Sequence, residues 1–259
     1  MATITRSAKS GSDWTLNELE AYHIDVQLEN METFFGIDQL PPPTISQAVL
    51  IHEFPPAAVL PNKQDRLFFG LLQDAMTTAP GEESAVDDFA AHLLSMLDYD
   101  SPGRHIRQHK DIPFFICGTA SHTKTDVCVV DETRNTILLV QEDNGYLETV
   151  DPEAQLIAVA IATFQEHNRR LREAGMPTLP KRVIPGISMV GTAPVFYKVE
   201  VTADLIHAIQ LGQYPAQVTT VHRFVPPVPR PMLMREEGMR PLDNRRIIIQ
   251  CFEALKQFL

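Results

Sequence analysis

Apolar positions recur along the chain at two different periods. From Trp14 to about Ile37, the spacing of Leu16, Leu19, Ile24, Leu28, Met31 and Phe35 predicts one or two helices. Residues 64 to 77 put Leu67, Phe68, Leu71, Leu72 and Ala75 on one helical face. A further helix, capped by Ser84 and reaching about Leu97, buries Val86, Phe89, Ala90, Leu93, Leu94 and Leu97. Glu82, Glu83, Asp87 and Asp88 lie in or near its first turn, where acids are ordinary partners of the helix dipole. The period then falls towards two. "HIRQHKDIPFFICG", "DVCVVD" and "TILLVQED" are rich in β-branched or aromatic residues and separated by turn formers, which predicts three strands. Asp151 as cap, Pro152 at the first helical position and Gly175 at the end bound a helix of about five turns or more. "GISMVGTAPVFYKVEV" then predicts two strands joined near residues 191 to 194. "TADLIHAIQLG" and "PLDNRRIIIQCFEALKQFL" predict two more helices.

Proline interrupts this pattern at both ends. "QLPPPT" and "HEFPPAAVLPNK" stop any helix, because proline lacks a donor and favours an extended path. Residues 38 to 62 are expected to wrap on a core as an arm, since Val49, Leu50, Ile51 and Phe54 would be wasted on a free linker. "FVPPVPRP" is a second extended stretch, and residues 1 to 13 are expected to fray. The expected organisation is a single α/β domain over residues 1 to 259. It has a helical and Pro-rich extension (1 to 81), a core of helix, three strands, helix and strand pair (82 to 201), and a helical C-terminal extension (202 to 259). A chain of 29.1 kDa that is 44% hydrophobic can bury such a core.

Two of the predicted strands end in acids. In "KTDVCVVDETRNTILLVQEDN", residues 124 to 144, Asp126 opens the first apolar run and Glu142 with Asp143 closes the second. A hairpin turn around residues 132 to 135 makes paired positions sum to 267 or 268, so Asp126 is expected opposite Gln141 or Glu142. Like charges meeting across a sheet destabilise it unless a cation, a lysine or open solvent compensates. The two acids are therefore expected to face each other or to lie a step apart, at strand ends that reach water.

Net charge is −11 and unevenly spread, with 9 Lys+Arg against 25 Asp+Glu in residues 1 to 159 and 13 against 8 in residues 160 to 259. The basic half could serve an anionic partner, but Arg169, Arg170, Arg172, Arg245 and Arg246 are dispersed and are expected on solvated helix faces. Cys117, Cys128 and Cys251 lack metal-ligand spacing and fit buried free thiols in a reducing compartment, the cytosol or nucleus. The first residues lack the apolar stretch of a secretory signal, and no apolar run is long enough to span a bilayer, so no membrane partner is expected. No HExxH, GxSxG or P-loop spacing occurs. His105 and His109 share a strand face by period two, as a metal pair or, more ordinarily, as two surface histidines. Phe196 and Tyr197 beside Lys198 fit either a nucleotide-stacking group or, more ordinarily, a half-buried strand.

The order of elements and the two acids resemble the PD-(D/E)XK nuclease-like superfamily over residues 82 to 201. Asp126 matches the acid that opens the second strand, and Glu142-Asp143-Asn144 matches the acid-x-lysine triplet of the third. The resemblance implies that Asp126 and Glu142 hold a divalent metal, Mg²⁺ where the site is active, with their carboxylates within a bridging distance on the order of 4 to 6 Å. Asn144 stands where the family has its lysine, and an amide carries no positive charge. Lys124 either replaces that lysine in space or, more ordinarily, is an exposed strand-edge lysine, and Gln155 either matches a glutamine found on the following helix in some branches or, more ordinarily, is a surface glutamine. From "TDVCVVDE" through "DPEAQLIA" and "PGISMVGTAPVFYK" to the C-terminal helix, the chain also resembles a group of proteins from mushroom-forming fungi that carry no assigned activity. Together these imply a catalytically impaired protein that binds another protein, as a fruiting-body or defence component or as part of a toxin complex. Nucleic acid is disfavoured by the net charge. The alternative is a live Mg²⁺-dependent phosphodiesterase using Asp126, Glu142 and Lys124.

Overall fold

The computed structural model describes residues 6–77, 84–142 and 151–259. Helices α1 (Leu16–Ala21), α2 (Met31–Phe35), α3 (Gln47–Ile51), α4 (Lys63–Ala75) and α5 (Ser84–Met96) precede most of the sheet, with strand β1 (Ile24–Leu28) among them. Then come β2 (Arg104–Ile116), β3 (Thr119–Asp131), β4 (Thr136–Glu142), α6 (Pro152–Glu173), β5 (Lys181–Val190), β6 (Ala193–Thr202) and α7 (Ala203–Leu211). The chain closes with β7 (Thr219–Phe224), α8 (Met234–Glu237) and α9 (Leu242–Leu255). The helix, three-strand, helix, strand-pair order expected of the core is therefore present in α5 to β6.

Seven strands form one mixed sheet in the order β1-β7-β6-β5-β4-β3-β2. The β2–β3 and β3–β4 pairs are antiparallel, β4 and β5 run parallel with α6 as the crossover, and β1 runs parallel to β7. Each face carries its own apolar layer. On one side α2, α3, α4, α5 and α9 pack on Val127, Val129, Leu138, Val140, Ile187 and Phe196. On the other, α1, α6 and α7 pack on Cys128, Val130, Leu139, Ile184, Tyr197 and Val199. Strands buried on both faces read as continuous apolar runs, which is what "VCVV" and "ILLV" are.

Local chemistry explains the ends of several elements. Asp151 accepts from the N–H groups of Glu153 and Ala154 at the start of α6, and Thr202 accepts from Leu205 N at the start of α7. Gly212 closes α7 in the left-handed region, which a side chain would strain. The arm from 38 to 62 does wrap on the core: Ile45, Val49, Leu50 and Leu60 are buried, while Ile51 and Phe54 stay exposed.

Three expectations need correction. The stretch from Trp14 to Ile37 is not purely helical, because β1 interrupts it, and the C-terminal extension includes β7; both strands lie at the far edge of the sheet. Residues 11 to 13 do not fray but form a 3₁₀ turn, and a side chain at Gly11 would collide with Thr123. Arg245 is not on a solvated face. It is fully buried and donates to the carbonyls of Val49, His52, Glu53, Met239 and Arg240.

Candidate functional site

The β3–β4 ladder pairs Val127 with Val140 and Cys128 with Leu139, a register sum of 267 that directs Asp126 towards Gln141. The ladder opens at that point. One oxygen of the Asp126 carboxylate accepts from Gln141 Nε2 at 2.6 Å and from the Glu142 backbone N–H at 2.8 Å. The side chain thus takes over the work of a ladder carbonyl and fixes the end of β4.

On the other side of β3, His109 of β2 lies level with Asp126, between the pairs Gln108–Val127 and Lys110–Thr125. His109 has φ +51, a left-handed conformation in the middle of a thirteen-residue strand. The alternation of β2 changes there. Ile106 packs on the α5 face, whereas Ile112, Phe114 and Ile116 pack on the α6 face. β3 changes face at the same level. Val127 and Val129 belong to the α5 layer, while Thr123 lies against Gly11, next to Ala158 of α6. The double change swings both Asp126 and His109 towards α5, where Asp87 waits one turn inside the helix.

Ligand atoms of Asp87, His109 and Asp126 all lie within 4.8 Å of one another. The closest ion contact is His109 Nδ1 to Asp87 Oδ2 at 3.9 Å, with Asp87 buried and His109 exposed. Burial pushes the Asp87 carboxyl up to about 7, and the neighbouring charges of Asp126 and Asp88 push in the same direction. Burial also raises Asp126, opposed by the Glu142 N–H, the His109 charge and the Gln141 amide. Two desolvated acids and an imidazole at such spacing could hold a shared proton or a divalent cation. The oxygen and nitrogen donor set suits Mn²⁺ or Zn²⁺ as well as Mg²⁺.

The other site residues expected from sequence are placed differently. Glu142 reaches Asp126 through its backbone and is not one of the three grouped side chains. Lys124 is exposed and pairs in the ladder with Asp111, and the positive group acting on Asp126 is His109. Gln155 does not face the cluster; its Nε2 donates to the Ser12 carbonyl at 2.5 Å and anchors the N-terminal segment. Asn144 and Asp143 lie outside the described residues. His105 and His109 do not share a face, because the strand turns over between them, and His105 instead accepts from Arg107 Nε. Phe196 and Tyr197 are buried in opposite layers and Lys198 donates to the Phe34 carbonyl, so that triplet builds the sheet.

Asp87 was not legible as a site residue, and His109 was legible only as one of a pair with His105, not as a partner of Asp126. Asp87 reads as a helix-dipole acid, and Ile106 and Ile112 keep the same parity in the sequence, which hides the change of face. No protein-family model and no curated protein matches the chain. Among the described residues, no helix is long and apolar enough to cross a membrane.

Proposed function

We propose that the chain is a catalytically impaired PD-(D/E)XK-like protein that acts by binding, most simply within a protein complex, with a divalent cation held by Asp87, Asp126 and His109. The observation that carries this reading is the identity of the group facing Asp126. An imidazole stands beside the carboxylate, while Lys124 is exposed on the strand and Asn144 replaces the family's lysine. A carboxylate already committed to Gln141 and to the Glu142 N–H can hold a cation with its remaining oxygen. Without an ammonium group, the site lacks what the family uses to help generate hydroxide. The alternative is the live Mg²⁺-dependent phosphodiesterase, with Asp126 and Glu142 as ligands.

Calorimetric titration of the protein with Mn²⁺ and Mg²⁺, beside Asp87→Asn, Asp126→Asn and His109→Ala, tests the cation. Incubation of the same proteins with single- and double-stranded DNA and RNA tests cleavage. The expected result is cation binding weakened by each substitution and no cleavage above that of the variants. Cation-dependent cleavage abolished by Asp126→Asn would replace the binding reading with the enzymatic one. Absence of any cation binding at pH 8 would remove the metal from it.

A further inference from the structure

A cleft of about 550 Å³ opens where β5 ends and α6 begins, and none of its lining residues belongs to the cation cluster. Its polar side chains come from separate elements: Asp151 and Glu153 from the start of α6, Ser188 from β5, Tyr197 from β6, Arg223 from β7 and Arg235 from α8. Val195, Val225, Met232 and Met234 add an apolar wall, and Met232, 93% exposed, stands at its rim. An apolar wall with a few convergent polar groups, at this volume, is what a small organic ligand requires.

Most of these polar groups are already engaged. Tyr197 is buried and donates to Glu153 Oε2 at 3.0 Å, and Asp151 accepts from the N–H groups of Glu153 and Ala154, which closes the helix end. Burial raises the Glu153 carboxyl, opposed by the Tyr197 hydroxyl and the Arg223 charge, with Asp151 adding to the rise. Arg235 is not free either. Arg223 differs. Among the described residues its guanidinium makes no hydrogen bond; the contact of Nη1 with Glu153, at 3.5 Å, is longer than one, and Nε is enclosed without a partner. The side chain is nevertheless 40% exposed, so its outer nitrogens are the part a ligand can meet. We infer that the cleft binds a small organic carboxylate, its carboxyl group on the outer nitrogens of Arg223 and its apolar body along Val195, Val225, Met232 and Met234. Carboxylate and guanidinium match as a planar fork. A phosphate dianion would bring a second negative charge beside Glu153 and Asp151, and an amine would have to use Glu153, which Tyr197 and Arg223 already serve. This ligand site goes beyond the protein partner and the cation of the proposed function and needs neither.

Calorimetric titration of the full chain with sodium octanoate, octanol, octylamine and octyl phosphate tests the site. Arg223→Gln and Met232→Asp are the variants, Lys63→Gln on α4 is the control, and melting curves confirm that each folds. The expected result is that octanoate binds more tightly than the other three. Arg223→Gln should weaken it by about tenfold or more, the worth of a charge-assisted hydrogen bond. Met232→Asp should weaken it as well, by replacing part of the apolar wall with a like charge, and Lys63→Gln should leave it unchanged. Met232 is exposed, so its variant keeps the test decisive even where Arg223→Gln does not fold. Tighter binding of octylamine would make Glu153 the anchor, tighter binding of octyl phosphate would make the cleft a phosphate site, and equal binding of octanol would leave an apolar groove alone. Each of these overturns the inference, as does an absence of octanoate binding or indifference of that binding to Met232→Asp.

Discussion

His109 holds a left-handed backbone in the middle of a strand, a conformation that costs a non-glycine residue roughly 1 to 2 kcal/mol. If the fold around Asp126 enforces that geometry, glycine should be tolerated there and a β-branched residue should not. Urea unfolding should place His109→Gly within about 1 kcal/mol of the wild type, glycine's own entropic cost offsetting the relieved strain. His109→Val should lose about 1 to 2 kcal/mol more than His109→Gly. Equal stabilities would mean that the turn-over of β2 is not needed. Asp87 makes a second prediction. Its folded value, about 7, lies above the unfolded one, so in chelator the native state binds the extra proton between about pH 4 and 7. Stability from this group is complete at low pH and is lost as pH rises through 7. The urea midpoint should therefore fall from pH 5 to pH 8, by an amount worth on the order of 1 to 2 kcal/mol once solvent screening is allowed for. Asp87→Asn should flatten that slope, and Mn²⁺ at pH 8 should recover the loss in the wild type by replacing the proton. A slope unchanged in Asp87→Asn would assign it to other groups.

Periodicity identified most of the elements because most of them bury one regular face. α9 illustrates this: Ile248, Cys251, Phe252 and Leu255 are buried at helical spacing, and Ile247 packs at the margin. What periodicity could not show is how α9 is fastened. Arg245 points its guanidinium at five carbonyls, three of them on or just after α3, with Phe68 and Phe69 against its plane. Arginine on an otherwise amphipathic helix reads as surface, and only the folded arm supplies those acceptors. Burial lowers it to about 10, so it remains charged near neutral pH. Arg245→Met should cost about 3 to 5 kcal/mol in urea unfolding by orphaning buried carbonyls, and Arg245→Lys should recover only part of that because it lacks the planar fork. Truncation after Pro241 removes both the apolar face and this fastening and should give insoluble or unfolded protein. A soluble truncated product with unchanged melting would show that α9 is dispensable. β1 and β7 were missed for a related reason. Ile24, Val26 and Leu28 do alternate, but five residues inside a helical spacing carry little weight, and their pairing with residues 219 to 223 is fixed only by the long-range fold.

At the scale of the whole molecule, the desolvated carboxylates of Asp87 and Asp126 sit at one end of the β3–β4 ladder, and Lys110 and Arg170 meet the Arg134 carbonyl at the other. The linear sequence shows an acidic half and a basic half, but the fold brings Lys110 of the acidic half beside Arg170 of the basic half, so the polarity of the molecule is not the polarity of the chain. This arrangement bears on activity. Under the proposed reading, cleavage of nucleic acid would need the substrate's phosphates drawn to the cation, whereas the carboxylate end belongs to a molecule of net charge −11. If the proposed resemblance holds, restoring its acid-x-lysine triplet alone should then be insufficient. Asn144→Lys adds one ammonium group to the strand-end sequence, but it supplies no phosphate-binding surface beside Asp87 and Asp126. Incubated with single- and double-stranded DNA and RNA in Mg²⁺ or Mn²⁺ at near-physiological salt, this variant should cleave no faster than the wild type or Asn144→Lys/Asp126→Asn. Lowering the salt should not rescue it, because weaker screening strengthens the repulsion at the acidic end. Cation-dependent cleavage by Asn144→Lys that exceeds the wild type and disappears with Asp126→Asn would overturn the argument from charge and assign the limit on cleavage to position 144.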